Sequence, residues 1–507
     1  MDFEIVKKSQ DLKDKIEIIV EVSYEDTLTE VIKNIESQSF TKEFKKRIQD
    51  KLKEFKSFKK YEYYKKFQFE TEAGIQIVIL ILKKSLKAFE LQVAIRKSLL
   101  SLLKDTKGSV ILNLEAVSKA HQECITDFYA TLAKVSEWKA PVYGKKAKEQ
   151  ASEKKKELKR KTFIQTQIKE SELAGLTSKG TILGDANNLV RTLASMPSNI
   201  LNPSKYQDIL HQRAQKGKYI FRFIDAKKLQ NMNAGAFLAV ISADPNTEGG
   251  IAHLTYKPKN KSQGKICIVG KGLCFDTGGY NVKPDSYMFS MHRDMTGSAI
   301  ALALFESLIQ LQLPYEIHGL LAIAENHISP TGFKPNDVVE AMNGMSIEVV
   351  NTDAEGRMVL SDTLCYASEL KPDLIIDYAT LTGAAVRSIG TARSAVFSNN
   401  KKLVKVATDA GDISGERVWS FPLGEDYREM LKSDVADIKQ CQNQPGPDHI
   451  LAATFLAEFV EESIPWLHVD VSSEENTGGL GIVDSDVTGF GVRLGLETIE
   501  KFLSKEK

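Results

Sequence analysis

Two charged clusters flanked by glycine and other small residues could do chemistry. The first runs Val269-Gly270-Lys271-Gly272-Leu273-Cys274-Phe275-Asp276-Thr277-Gly278-Gly279, followed by Lys283 and by Arg293-Asp294-Met295. The second is Val350-Asn351-Thr352-Asp353-Ala354-Glu355-Gly356-Arg357. Asp276, Asp294, Asp353 and Glu355 cannot all stay ionised in a partly buried site without a compensating cation. Oxygen-rich ligation suits Mg, Mn or Zn better than it suits a thiolate-seeking ion. Four carboxylates exceed what one ion needs. The pattern therefore points to two metals about 3.5–4 Å apart with a shared carboxylate, a pair that activates water and polarises a carbonyl or phosphoryl oxygen. Taken singly, each residue has a plainer reading as a surface ion pair or a helix cap. Asp294, just ahead of an apolar helix, would make a good N-cap. The combination favours the metals.

Competing motifs fall away. Gly270-Lys271-Gly272 meets Phe275 where a dinucleotide fingerprint needs its third glycine, and there is no phosphate-binding P-loop, H-E-x-x-H pair or G-x-S-x-G elbow. His292, two residues from Asp294, is expected to face elsewhere. His468, inside the apolar run Trp466-Leu467-His468-Val469, reads as a hydrogen-bonded core residue. Cys274 reads as a small buried hydrophobe.

Short, nearly continuous apolar runs at 265–269, 317–324, 346–350 and 373–378 read as buried strands. Between them, residues 295–309 and 357–370 space their apolar positions as helices do. This predicts a mixed, largely parallel sheet flanked by helices on both faces, with chemistry on the loops beyond the strands' carboxyl ends. We assign this catalytic domain to residues 183–507. Residues 1–144 form a separate N-terminal α/β domain, with strands at 16–22, 75–82 and 110–114 and helices at 89–103 and 121–135. Residues 145–182 are expected to link the two. Their first part, 145–161, holds nine Lys or Arg against three Glu and reads as a solvated helix. No aromatic residues interleave there, so a nucleic-acid platform is not expected.

The chain has 507 residues and a net charge of +1, which gives no general attraction to nucleic acid or membranes. Its five cysteines include no C-x-x-C pair, which fits a reducing compartment. No apolar run approaches the roughly 20 residues of a membrane span. The start, Met1-Asp2-Phe3-Glu4, lacks the pattern of a secretory signal. A cytoplasmic location is expected.

Asn351-Thr352-Asp353-Ala354-Glu355-Gly356-Arg357-Met358-Val359-Leu360 resembles the signature of the cytosolic leucyl aminopeptidase family, two-metal exopeptidases. The resemblance extends through Gly270–Gly279, Lys283-Pro284, Asp294-Met295, Glu325-Asn326, 380–384 and Thr488-Gly489, covering roughly residues 183–500. It implies that Asp276 and Glu355 bridge the metals, that Asp353 completes one site, and that Lys271 and Asp294 complete the other. It implies an oxyanion-stabilising role for Lys283 and a bicarbonate ion held by Arg357. Met291, Thr380, Leu381 and Gly383 would line the pocket for the first residue of a peptide with a free N-terminus. Zn or Mn would fill the sites, with Mg and Co as alternatives, and the subunits would form a homohexamer.

Thr296 replaces the glycine usual after the Asp-Met pair. Ser472 and Glu475 replace small and apolar residues that usually close the pocket, which would give a more polar, acidic rim and more tolerance of basic N-terminal residues. Two other readings compete with the aminopeptidase. A non-catalytic subunit retaining the fold would be expected to have lost some of the seven metal and catalytic positions, and all seven are intact. A two-metal phosphoesterase explains the carboxylates but not the ten-residue signature.

Overall fold

Runs that are apolar on both faces persist as strands only where both faces are covered. The structure, a computed structural model, describes residues 2–6, 16–37, 40–60, 62–105, 108–153, 161–244, 246 and 248–504. Each apolar run named above forms a strand in it, with bounds that agree to within two residues except at 265–269, where the strand runs on to Asp276. The chain divides into two compact units, Met1–Asp185 with Leu480–Asp484, and Ala186–Gly479 with Ser485–Lys507.

In the first unit, β1 (Asp2–Ile5), β2 (Ile16–Tyr24), β3 (Tyr64–Glu70), β4 (Gln76–Leu82), β5 (Ser109–Ala116) and β6 (Lys161–Gln165) make one sheet. Its order is β1-β6-β5-β2-β4-β3. Neighbours are parallel except β3 and β4. The basic stretch is a helix over Lys145–Glu153, as its composition suggests; residues 154–160 lie outside the described residues. The rest of the stretch read as a linker is structured too. Thr162, Phe163 and Ile164 are buried in β6, and the helix Glu170–Ala194 follows. Charge density hid a short apolar strand directly behind it.

The second unit runs through β7 (Ile220–Asp225), β8 (Gly250–Tyr256), β9 (Lys265–Asp276), β10 (Glu316–Asn326), β11 (Val338–Glu340) and β12 (Ser346–Glu348). It continues with β13 (Leu374–Ala379), β14 (Ser394–Ser398), β15 (Val418–Ser420), β16 (Ile438–Lys439) and β17 (Trp466–Asp470). Eight of these form a sheet in the order β15-β14-β17-β13-β9-β10-β8-β7. Its centre, β17-β13-β9-β10, is parallel, and antiparallel pairs lie toward the margins. The run at 346–350, expected in this sheet, instead pairs with β11 and β16 in a small three-stranded one.

Side chains alternate across a strand, and β9 uses both faces near its end. A Cβ on Gly270 would lie 2.5 Å from Ser298 Cα in the helix Thr296–Gln310. Lys271 points the other way, to the helix Glu355–Glu369, where a Cβ on Gly356 would meet its Cε and Nζ at 2.5 Å. Helices thus cover both faces at the strand that carries the first cluster.

The last helix, Val492–Leu503, is started by a buried acid. Glu416 Oε2 accepts from the backbone N–H of Gly491 at 2.9 Å and of Leu494 at 2.8 Å. Burial lifts the Glu416 pKa from 4.5 to about 7 in spite of those bonds. Between these values the folded chain holds the proton more tightly than the unfolded one. Stability should therefore be lost as pH rises through that window, by roughly 3 kcal/mol. Glu416→Gln keeps an acceptor without the charge. Urea denaturation from pH 4.5 to 7.5 should show the variant gaining on the parent as pH rises; a constant difference would refute the assignment.

Candidate active site

The carboxyl ends of β9, β10, β13 and β17 deliver Asp276, Asn326, Thr380 and Asp470 to one edge of the sheet, where ligands of such sheets bind. A bulge between Ala324 and Asn326 sets Asn326 opposite Asp276. Asp276 Oδ1 accepts from Asn326 Nδ2 and from the Gly278 N–H, both at 2.9 Å. Gly278 and Gly279 take positive φ, +85° and +63°, which lets the chain turn back toward Lys283. Thr352 locks this turn to the second cluster: its hydroxyl donates to Gly278 O at 2.6 Å and accepts from Asn281 N at 2.8 Å.

Ten of the eleven residues named from the sequence line a single cavity of about 890 Å³: Lys271, Asp276, Lys283, Met291, Asp294, Asp353, Arg357, Thr380, Leu381 and Gly383. Glu355 stands behind its wall at 1% exposure, in the first turn of its helix. Lys271 Nζ lies 2.8 Å from Asp294 Oδ2 and 3.0 Å from Glu355 Oε1. Lys283 Nζ lies 2.7 Å from both Asp276 Oδ2 and Asp353 Oδ1. Burial opposes the charge on each lysine. The neighbouring carboxylates outweigh it and hold both pKa values above the ordinary one. Burial, reinforced by the Asp276 charge, lifts Asp353 and Glu355 to about 7.

Asp294 does not cap the helix that follows it. That helix has Met295 at its N-cap and no side-chain cap bond, while Asp294 Oδ1 accepts from the Thr380 hydroxyl at 2.8 Å. The lysine and threonine draw its carboxylate into the cavity. The Thr380–Gly383 turn is held by Asp470, whose carboxylate accepts from Leu381 N at 3.2 Å and from the Thr382 hydroxyl at 2.7 Å. His468 is fully buried, 2.6 Å from Asp377 Oδ1, Cys274 is buried, and His292 is not part of the cavity wall.

The residues present suit divalent cations. Among the described residues, Asp276, Asp353 and Glu355 each offer a carboxylate oxygen within 4.8 Å of the others. Glu355 Oε2 is buried without a hydrogen-bond partner. Four carboxylates against two ammonium groups leave negative charge that a hard cation would neutralise.

A soluble bicarbonate at Arg357 fits less well. The guanidinium is buried, and its Nη2 already lies 2.9 and 3.0 Å from the two oxygens of Asp448; Nη1 donates to Gln440 O at 2.9 Å. Gln440 also braces the second cluster, accepting from Val350 N and Asn351 N and donating to Ala354 O. Neither residue belongs to a motif, since their partners stand 83 to 91 positions away.

The sequence reading of the rim also missed two residues. Glu475 is paired with Arg293 at 2.7 Å. Glu474, behind it, is buried, and burial raises its pKa to about 7 against the pull of Arg293. Thr296 fits by donating its hydroxyl to Arg293 O at 2.6 Å. The Ser472 hydroxyl turns away to Arg393 O at 2.8 Å.

Residues 188–495 match the model of the cytosol aminopeptidase family, catalytic domain. A probable cytosol aminopeptidase of Sulfurihydrogenibium sp. is 39% identical over 315 residues, 62% of this chain and 62% of that protein. One of Persephonella marina is 38% identical over 329 residues, 65% of each. The matched stretches thus span less than two thirds of these relatives' own lengths. The crystal structure of a cytosol aminopeptidase from Coxiella burnetii superposes with a TM-score of 0.78 at 26% identity, covering 99% of both chains. The family model spans well over half of the sequence and takes in both charged clusters, so the chain belongs to the cytosol aminopeptidase family.

Proposed function

We propose that this protein is a two-metal aminopeptidase that removes the N-terminal residue of peptides. The observation that carries the reading is the convergence of Asp276, Asp353 and Glu355, with Lys271, Asp294 and Lys283 around them, in and directly behind the wall of one cavity of a cytosol aminopeptidase family member. Asp276 and Glu355 would bridge two divalent ions, Zn or Mn, with Asp353 completing one site and Lys271 and Asp294 the other. Bound there, such ions would polarise the scissile carbonyl and make water acidic enough to attack at neutral pH.

The chain's own residues account for the remainder. Lys271 would serve as a ligand only after its ammonium gives up a proton, so its carboxylate neighbours must change partners on loading. Lys283 is a fixed positive charge at the cavity wall, placed to oppose the negative charge that develops on the carbonyl oxygen. The Thr380–Gly383 turn, held by Asp470, presents backbone beside Asp294 and Met291, where the first residue of the peptide would lie. In this reading the enzyme works in the cytoplasm as a homohexamer, whose mass sedimentation would check.

Release of the first residue from Leu-, Met-, Lys- and Arg-amides, with Mn or Zn added, tests the proposal. Hydrolysis of at least one amide is expected, and none with any metal would favour the non-catalytic reading. Arg293 already partners Glu475, so the acidic rim is largely neutralised. Arg293→Ala should free the carboxylate and raise the Arg-to-Leu rate ratio several-fold; an unchanged ratio would show that the rim does not face the first side chain.

A further inference from the structure

The guanidinium of Arg357 is buried, yet its anionic partner is part of the chain. Asp448 opens the helix Asp448–Ala457, and its side chain is 40% exposed where it lines the cavity; that of Arg357 is 3% exposed. Both Asp448 oxygens face Nη2, and Gln440 O takes Nη1. A buried guanidinium stripped of its anion would be costly. A tethered carboxylate supplies that anion at a local concentration that no dissolved ion matches.

We propose that Asp448 permanently fills the anion seat on Arg357, so that this enzyme moves its proton with its own carboxylate and neither needs nor binds bicarbonate. The inference rests on the aminopeptidase reading for its chemistry, though not for its geometry. Asp448 takes one proton from the attacking water as that O–H bond breaks and the water oxygen bonds to the scissile carbonyl carbon. The protonated carboxyl then passes the same proton to the departing amine nitrogen as the C–N bond breaks. The carboxylate is thereby regenerated without an outside base. Arg357 holds the carboxylate in place.

Binding and turnover test this separately, in buffer stripped of carbon dioxide. Calorimetric titration with bicarbonate or formate should show no saturable binding to the parent protein, whereas Asp448→Ala should gain it. Asp448→Ser opens the same seat and serves if the alanine variant does not fold. Hydrolysis by the parent should be indifferent to added bicarbonate. Asp448→Ala should turn over roughly a hundredfold more slowly and recover with bicarbonate or formate, as general acid–base groups of this kind allow. Asp448→Asn should be as slow but recover little, because its amide still blocks the seat. Saturable activation of the parent by bicarbonate, or opened variants that bind no anion, would overturn the proposal. A parent that hydrolyses nothing would instead defeat the aminopeptidase reading and leave the calorimetry to decide the anion seat.

Discussion

Glu355→Gln and Asp353→Asn are expected to lower hydrolysis by roughly a thousandfold or more and to leave the purified protein short of metal. Glu355 brings one oxygen to Lys271 and leaves the other buried without a partner beside Asp276 and Asp353. Glutamine would put an NH2 donor on one side of that group, where a cation needs a lone pair. Neither substitution should unfold the chain. Without metal, these acids are crowded enough that burial and mutual repulsion lift both pKa values to about 7, so removing a charge relieves strain. The metal-free variants should melt at or above the temperature of the metal-free parent. Elemental analysis, amide hydrolysis and thermal midpoints with chelator together decide it. A variant that keeps a full metal complement and more than a tenth of the parent rate would remove the residue from the site.

Gly297→Ala should cost about 3 kcal/mol or more and lower the melting temperature by roughly 5–10 °C. A Cβ there would lie 2.2 Å from Tyr378 O and 3.0 Å from Ala379 Cα, both backbone atoms of β13 that have no room to yield. The helix Thr296–Gln310 would have to lift from the sheet. Asp294, three residues upstream, would move with it and lose its approach to Lys271 and Thr380, so activity should fall beyond what the stability loss explains. Gly344→Ala is the control. It sits in an exposed turn at φ +84° with nothing within 4 Å of a new Cβ, and should cost only about 1 kcal/mol of backbone strain. Equal losses at both positions would mean that close packing is not what Gly297 provides.

Much of the fold was legible because local pattern and burial coincide. Apolar runs in β2, β5, β9, β10 and β13 are buried in the sheets their alternation with helices implied. Where pattern and environment part, the reading slips. Residues 346–350 look like a core strand but lie in a separate small sheet, and β6 hides behind a basic tract. Asp294 looks like a cap because its neighbours in sequence are a helix, whereas its partners in space are Lys271 and Thr380.

The sequence alone determined the chemistry on offer: which carboxylates and lysines are present, and which short segments hold them beside glycines that admit a tight turn. These are local properties, encoded by neighbours a few residues apart. Only the tertiary structure decided what faces what. Asp448 on Arg357, Gln440 beneath the 350–354 loop and Arg293 against Glu475 join segments 86 to 182 residues apart. No spacing rule reaches that far, because such pairs are selected by where the sheet brings loop ends together and by the cost of leaving a buried charge alone.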